Sequence, residues 1–196
     1  MNYEHLRHYA RGWLLHFLGL PDRAYVAFAE AFRYEPTDAQ AARHLAAISA
    51  EKQHWAAAEA WFATVVALAP EESDAWFNLG FVREHSGKLG EAIAAFRESV
   101  RLKPAQDRAW YGMGLNHARL GEHEAAALAL REAIRLQPMN GEAYYQLGMA
   151  LHHASQPDQV QAIVARLASF EPVRARRLVQ DTKRPELMLL VLERRF

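Results

Sequence analysis

The sequence predicts an all-α chain of stacked helix hairpins, a solenoid of five units, and three observations carry that expectation. Prolines stand at Pro36, Pro70, Pro104, Pro138 and Pro172, each 34 residues after the one before, and a fixed period of this length is the mark of a repeat architecture. Alanine supplies 37 of the 196 residues; it is the strongest helix former and has no preference for strands. No Val/Ile-rich alternation accompanies it, which argues against sandwiches and barrels.

With each proline near the end of its unit, the repeats run 5–38, 39–72, 73–106, 107–140 and 141–174, followed by a cap at 175–196, all in a single domain, 1–196. Each unit holds two helical stretches parted by a breaker, visible in Ser86-Gly87-Lys88, Leu120-Gly121-Glu122 and Ser155-Gln156-Pro157. The closing proline is expected to stop the second helix, because it lacks an N–H and clashes with the preceding turn. The eighth position reads Gly12, Ala46, Gly80, Gly114 and Gly148, and the twentieth reads Ala24, Ala58, Ala92, Ala126 and Val160. Such small residues let the two helices of a hairpin approach closely, while Phe28, Phe62, Phe96, Leu130 and Val164 at the twenty-fourth position fill the space toward the next unit. The fourth position carries Trp76, Trp110 and Tyr144, with Leu79, Met113 and Leu147 three residues on. One hairpin alone leaves an apolar face uncovered, so neighbours must stack.

These columns, W then L-G then A, F and P, resemble the tetratricopeptide-repeat (TPR) family, and the likeness covers about 170 of the 196 residues. Repeats 1 and 2 depart from it: His8 and Ala42 replace the aromatic, and Arg11 replaces the leucine. The resemblance implies a right-handed superhelix in which the first helix of each hairpin lines a concave groove. On that reading the groove holds Tyr9 and Trp13 from repeat 1, Arg43 and His44 from repeat 2, and Phe77, Asn78 and Phe81 from repeat 3. It continues through Arg108, Tyr111, Leu115 and Arg119 of repeat 4 to Tyr145, Gln146 and Met149 of repeat 5. Aromatics, Met and Arg are the side chains that anchor interfaces. The alternative is that these aromatics pack between adjacent first helices. A dicarboxylate clamp of the kind some family members use is only partly present: Arg43, Asn78 and Arg108 match it, but Ala47 and Gly112 stand where an Asn and a second cation are needed.

In the cap, Leu187, Met188, Leu189, Leu190, Val191 and Leu192 are six apolar residues in succession, too many for one helical face. They are covered at the end of the array, or Leu187 to Leu192 form a homodimer contact.

Chemistry is not indicated. The ten histidines include His5 with His8, the adjacent His152 and His153, and His85 in the groove column of His153, yet none forms an H-E-x-x-H or a two-His-plus-carboxylate set. Gly87-Lys88 fails the phosphate-loop pattern at Val82 and Leu89, and Gly112, Met113 and Gly114 follow no strand, so they are no dinucleotide fingerprint. No cysteine is present to act as nucleophile, ligand or disulfide partner. We therefore expect no enzyme activity, cofactor or metal.

Lys and Arg number 23 against 23 Asp and Glu, so no overall basic field draws nucleic acid or anionic lipid. Residues 51–98 nevertheless carry a balance of −4, with Lys52, Arg83, Lys88 and Arg97 against eight acidic residues, and the chain from Arg166 onward carries +4. That basic end leaves open a nucleic-acid or regulatory role. No run reaches the roughly 20 apolar residues that span a bilayer. The short stretch Trp13, Leu14, Leu15 and Leu18 is broken by His16 and followed by no small-residue cleavage site, so it is read as folded structure and the location as cytoplasmic. The function expected is a protein-interaction module, an adaptor, scaffold or dedicated chaperone that binds a protein or peptide segment; the alternative is a self-assembling structural subunit.

Overall fold

The computed structural model describes residues 3–192. Among them are twelve α-helices and no strand. Five hairpins follow one another: α1 (Tyr3–Phe17) with α2 (Pro21–Tyr34), α3 (Ala39–Glu51) with α4 (Trp55–Leu68), α5 (Ser73–His85) with α6 (Leu89–Leu102), α7 (Asp107–Arg119) with α8 (His123–Leu136), and α9 (Gly141–His153) with α10 (Pro157–Ala168). Then come α11 (Pro172–Asp181), a 3-10 turn (Pro185–Leu187) and α12 (Met188–Leu192). The chain divides into two compact units, Met1–Leu102 and Lys103–Phe196. No helix of the described residues is long and apolar enough to cross a membrane.

Within each hairpin the second helix is amphipathic in the simplest way. In α2 the buried residues are Ala24, Ala27, Phe28 and Ala31, an i, i+3, i+4, i+7 stripe that faces α1. The small residue of the first helix sits directly on the large one of the second: a Cβ on Gly12 would stand 2.8 Å from the Phe28 ring, on Gly80 2.7 Å from Phe96, and on Gly114 2.6 Å from Leu130. Phe28, Phe96 and Leu130 are fully buried there. These contacts explain why a small residue in the eighth column accompanies a large one in the twenty-fourth.

The hairpin turns share one geometry. Gly19, Gln53, Gly87, Gly121 and Ser155, spaced by 34, all adopt a positive φ between 56° and 78°. In each, the N–H of the following residue reaches back to the first helix, as in Lys88 N–H to the Arg83 carbonyl at 2.9 Å and His54 N–H to the Ser49 carbonyl at 2.9 Å. This is the left-handed helix stop that satisfies the last free carbonyls. Between hairpins, the indole N–H of Trp76 donates to the Pro70 carbonyl at 2.8 Å, and that of Trp110 to the Pro104 carbonyl at 3.0 Å. The fourth-position tryptophan thus staples the proline loop that precedes its own helix.

The fifth hairpin ends differently from the expectation. In the first four, the second helix stops two residues before the proline, but α10 stops at Ala168 and Pro172 opens α11 at its first turn. Proline suits that place because its missing N–H has no partner there anyway. A Cβ on Gly148 would meet Leu178 of α11 at 2.5 Å, so α11 covers α9 where the other hairpins use their own second helix. The core of the second unit is accordingly built from Leu130, Leu147, Leu151, Val160, Val164, Leu167 and Leu178. Leu187 and Val191 join it, Met188 and Leu190 pack at its edge, and Leu189 and Leu192 are exposed. Residues 193–196 of the expected cap lie outside the described residues.

Candidate peptide-binding surface

In the first unit, α1, α3 and α5 carry the residues that the repeat register assigns to a groove, and burial sorts them into two groups. Phe77 is buried, its ring 5.8 Å from Phe96, and it belongs to the packing between α5 and α6. Tyr9 is half-buried with its ring edge on Phe28, and its hydroxyl lies 3.3 Å from His44 Nε2. Burial raises the Tyr9 hydroxyl above its ordinary value, with Asp38 adding to the effect and Arg43 opposing it. His44 stacks flat on Phe28 at 4.3 Å, and burial lowers its pKa, helped by His16 and Arg43. Arg43 is paired with Glu72, which uses the charge that a clamp would need. Trp13 and Phe81 are the exposed aromatics of this set; Trp13 stacks on Phe17 at 5.8 Å, and Phe81 keeps 38% of its surface free.

Phe81 and Asn78 border a pocket of about 410 Å³ that is completed by Ala47 and Glu51 of α3 and Trp55 of α4. His85, one turn beyond Phe81, stands 4.2 Å from the Phe81 ring and 4.7 Å from Trp55, and its Nδ1 is 2.9 Å from the Phe81 carbonyl oxygen. Trp55 and Glu51 escaped the groove assignment. The seventeenth position of the repeats reads Pro21, Trp55, Leu89, His123 and Pro157, so no recurring residue type marks it. Nearby, Glu59 accepts from Lys88 Nζ at 2.9 Å and from Arg83 Nε at 3.3 Å. Burial opposes ionisation of Glu59, yet the two donors hold its carboxyl below the usual range.

In the second unit the corresponding residues lie on α7 and α9. Tyr111 packs against the core edge, Leu115 is half-buried, and Arg108 and Arg119 are exposed along α7. Tyr145 is buried: its hydroxyl donates to Asp181 at 2.6 Å and the Arg177 guanidinium lies over its ring at 5.1 Å. Burial and that hydrogen bond raise its pKa. Helix α11 therefore seals the α9 end of this row. Gln146 donates to Glu142 at 2.8 Å, and Met149 packs at the core edge. The basic residues of this unit are largely engaged, Arg174 with Glu142 and Glu171, Arg177 with Asp181, and Arg184 with Glu186 and the Pro157 carbonyl. Arg194 and Arg195 lie outside the described residues. Among the described residues no group of three or more His, Asp or Glu is placed to hold a metal ion.

Comparison with known proteins bears on the architecture. A family model described as tetratricopeptide repeat matches residues 52–107, and one described as TPR repeat matches residues 117–153. No curated protein sequence matches the chain. Among solved structures, the crystal structure of the MamA protein superposes with a TM-score of 0.82 at 20% identity, over 90% of this chain and 96% of that one. A MamA fragment from Desulfovibrio magneticus RS-1 gives 0.78 at 20% identity over 88% and 98%. YrrB, described as a TPR protein with an unusual peptide-binding site, gives 0.79 at 16% identity over 88% and 90%. At these identities the likeness speaks for the fold. With the two repeat matches and the small-on-large packing of the hairpins, it supports a tetratricopeptide-repeat protein.

Proposed function

We propose that the chain is a protein-interaction module that captures a peptide or protein segment along its first helices, and that it serves as an adaptor, scaffold or dedicated chaperone in the cytoplasm. The observation that carries this reading is Phe81. It is an aromatic left 38% exposed on α5 beside an open pocket of about 410 Å³, while Phe77 on the same helix is spent on the core. An exposed aromatic next to an unfilled apolar recess is the form an interface anchor takes. The peptide-binding site named for YrrB, which shares the fold, is a parallel for this use of it. No catalytic step is assigned.

Selection from a phage-displayed library of random dodecapeptides tests the reading. Truncating a buried anchor typically costs about 2 kcal/mol or more of binding. Phe81→Ala is expected to lose the selected peptides while its circular dichroism stays that of the wild type. If Phe81→Ala binds like the wild type while Glu91→Ala or Arg131→Ala on the second helices blocks capture, the opposite face is the binding surface and the reading is wrong.

A second reading has its own observation. Leu189 and Leu192 of α12 are 63% and 47% exposed, which supports a contact between two copies. Light scattering of the wild type at tens of micromolar, a rough working range for such contacts, is expected to show a dimer, and Leu189→Glu a folded monomer. A monomeric wild type removes it.

A further inference from the structure

The pocket beside Phe81 has a chemistry of its own, and its use as a binding site rests on the proposed capture of a peptide along the first helices. Trp55 and Phe81 line it, and the His85 ring lies 4.7 Å from the first and 4.2 Å from the second. Ala47, Ala50 and Phe62 complete its apolar lining, and three polar residues border it: Glu51, Gln53 and Asn78. Neither Glu51 nor Asn78 has a side-chain hydrogen-bond or ion-pair partner among the described residues.

Three cations of the same segment are engaged elsewhere. Lys52, its chain neighbour, pairs with Asp22 across α2 and α3, and both Arg83 and Lys88 are tied to Glu59. The surrounding segment 51–98 carries a net charge of −4. An aromatic face is negative at its centre and attracts a cation, and a carboxylate beside it adds a Coulombic attraction of the same sign. An aliphatic side chain in the same place would cover the rings but gain nothing from the Glu51 carboxylate. An acidic side chain would meet Glu51 directly.

We propose that this pocket is a socket for a cationic side chain, a lysine or arginine of the bound segment, held against Trp55 and Phe81 with its charge at the Glu51 carboxylate. The captured partner is thus a basic segment, the opposite of the acidic tail that a dicarboxylate clamp would select. Asn78 supplies a side-chain carbonyl as second acceptor for the ammonium or guanidinium protons.

Titration of the full chain with single amino-acid amides, followed by the nitrogen-proton resonance of the Trp55 indole, tests the socket without knowledge of the partner. The resonance is identified by its loss in Trp55→Phe. N-acetyl-lysine amide and N-acetyl-arginine amide are expected to shift it saturably. N-acetyl-norleucine amide, which keeps the lysine chain but lacks the amine, is expected to bind at least about three-fold more weakly, the scale of an exposed cation–π contact. Glu51→Gln, a change at an exposed site, is expected to erase that preference. The inference is overturned if norleucine amide binds as tightly as lysine amide, if glutamate amide is preferred, if Glu51→Gln changes nothing, or if no amide shifts Trp55 saturably. Each of these outcomes leaves the peptide groove to be judged by the phage selection, where retention of peptides by Phe81→Ala sinks the groove itself.

Discussion

Phe96 is 1% exposed under Gly80, whereas Phe81, on the other helix of the same hairpin, faces the pocket. Phe96→Ala is expected to cost about 3 to 5 kcal/mol, lost transfer energy and cavity together, and Phe81→Ala much less. Urea melts decide, and equal losses would make Phe81 a core residue. His44 yields a pH prediction. Its pKa is lowered in the fold, chiefly by burial against Phe28, so the neutral ring is the one the fold accepts. That contribution is fully present above the ordinary imidazole value of 6.5 and is lost as pH falls through the lowered one. Thermal melts between about pH 8 and pH 5 should show the wild type losing more stability on acidification than His44→Gln; identical slopes would contradict it.

The elements repeat more faithfully than the residues that make them. All five hairpin turns use the left-handed backbone, but Gln53 and Ser155 adopt it without being glycine. A side chain in that conformation costs about 1–2 kcal/mol, partly offset by the greater freedom of glycine in the unfolded chain. Gln53→Gly and Ser155→Gly are therefore expected to stabilise by about 0.5–1 kcal/mol each, read as a higher urea midpoint at unchanged slope. The hairpins were legible because Gly80 and Gly114 face Phe96 and Leu130 and the prolines keep time between them. The turn at Gln53 was not, since no glycine marks it. Nor was the role of Pro172 as the start of α11, because a proline that stops one helix and a proline that opens the next look the same in sequence. For the site, column position told which side of a helix Phe77 and Tyr145 occupy but not what covers them, and Phe96 and α11 do so.

Across the molecule, stability in such repeats is a sum of local units and their neighbour contacts. Leu178 of α11 is fully buried and meets Gly148 of α9. Leu178→Ala is expected to cost about 2 to 5 kcal/mol, with hydrogen-exchange protection falling first in α9 to α11 and little change in α1 to α4. A uniform loss over the whole chain would show that the units do not behave locally. The periodic skeleton of both units could be written from the sequence alone, while the pocket at Trp55 could not, because it rests on an exception to the period.

Trp76 fastens the Pro70 loop in the first unit, and Trp110 does the same for Pro104 in the second. Of the five tryptophans, Trp13, Trp55, Trp61 and Trp76 belong to the first unit and Trp110 alone to the second. Intrinsic fluorescence of the chain is therefore weighted to one half, whereas far-ultraviolet ellipticity averages over both. A chain with Trp110 as its sole emitter would report the other half by itself, so the two ends of the protein can be watched separately without attaching a dye.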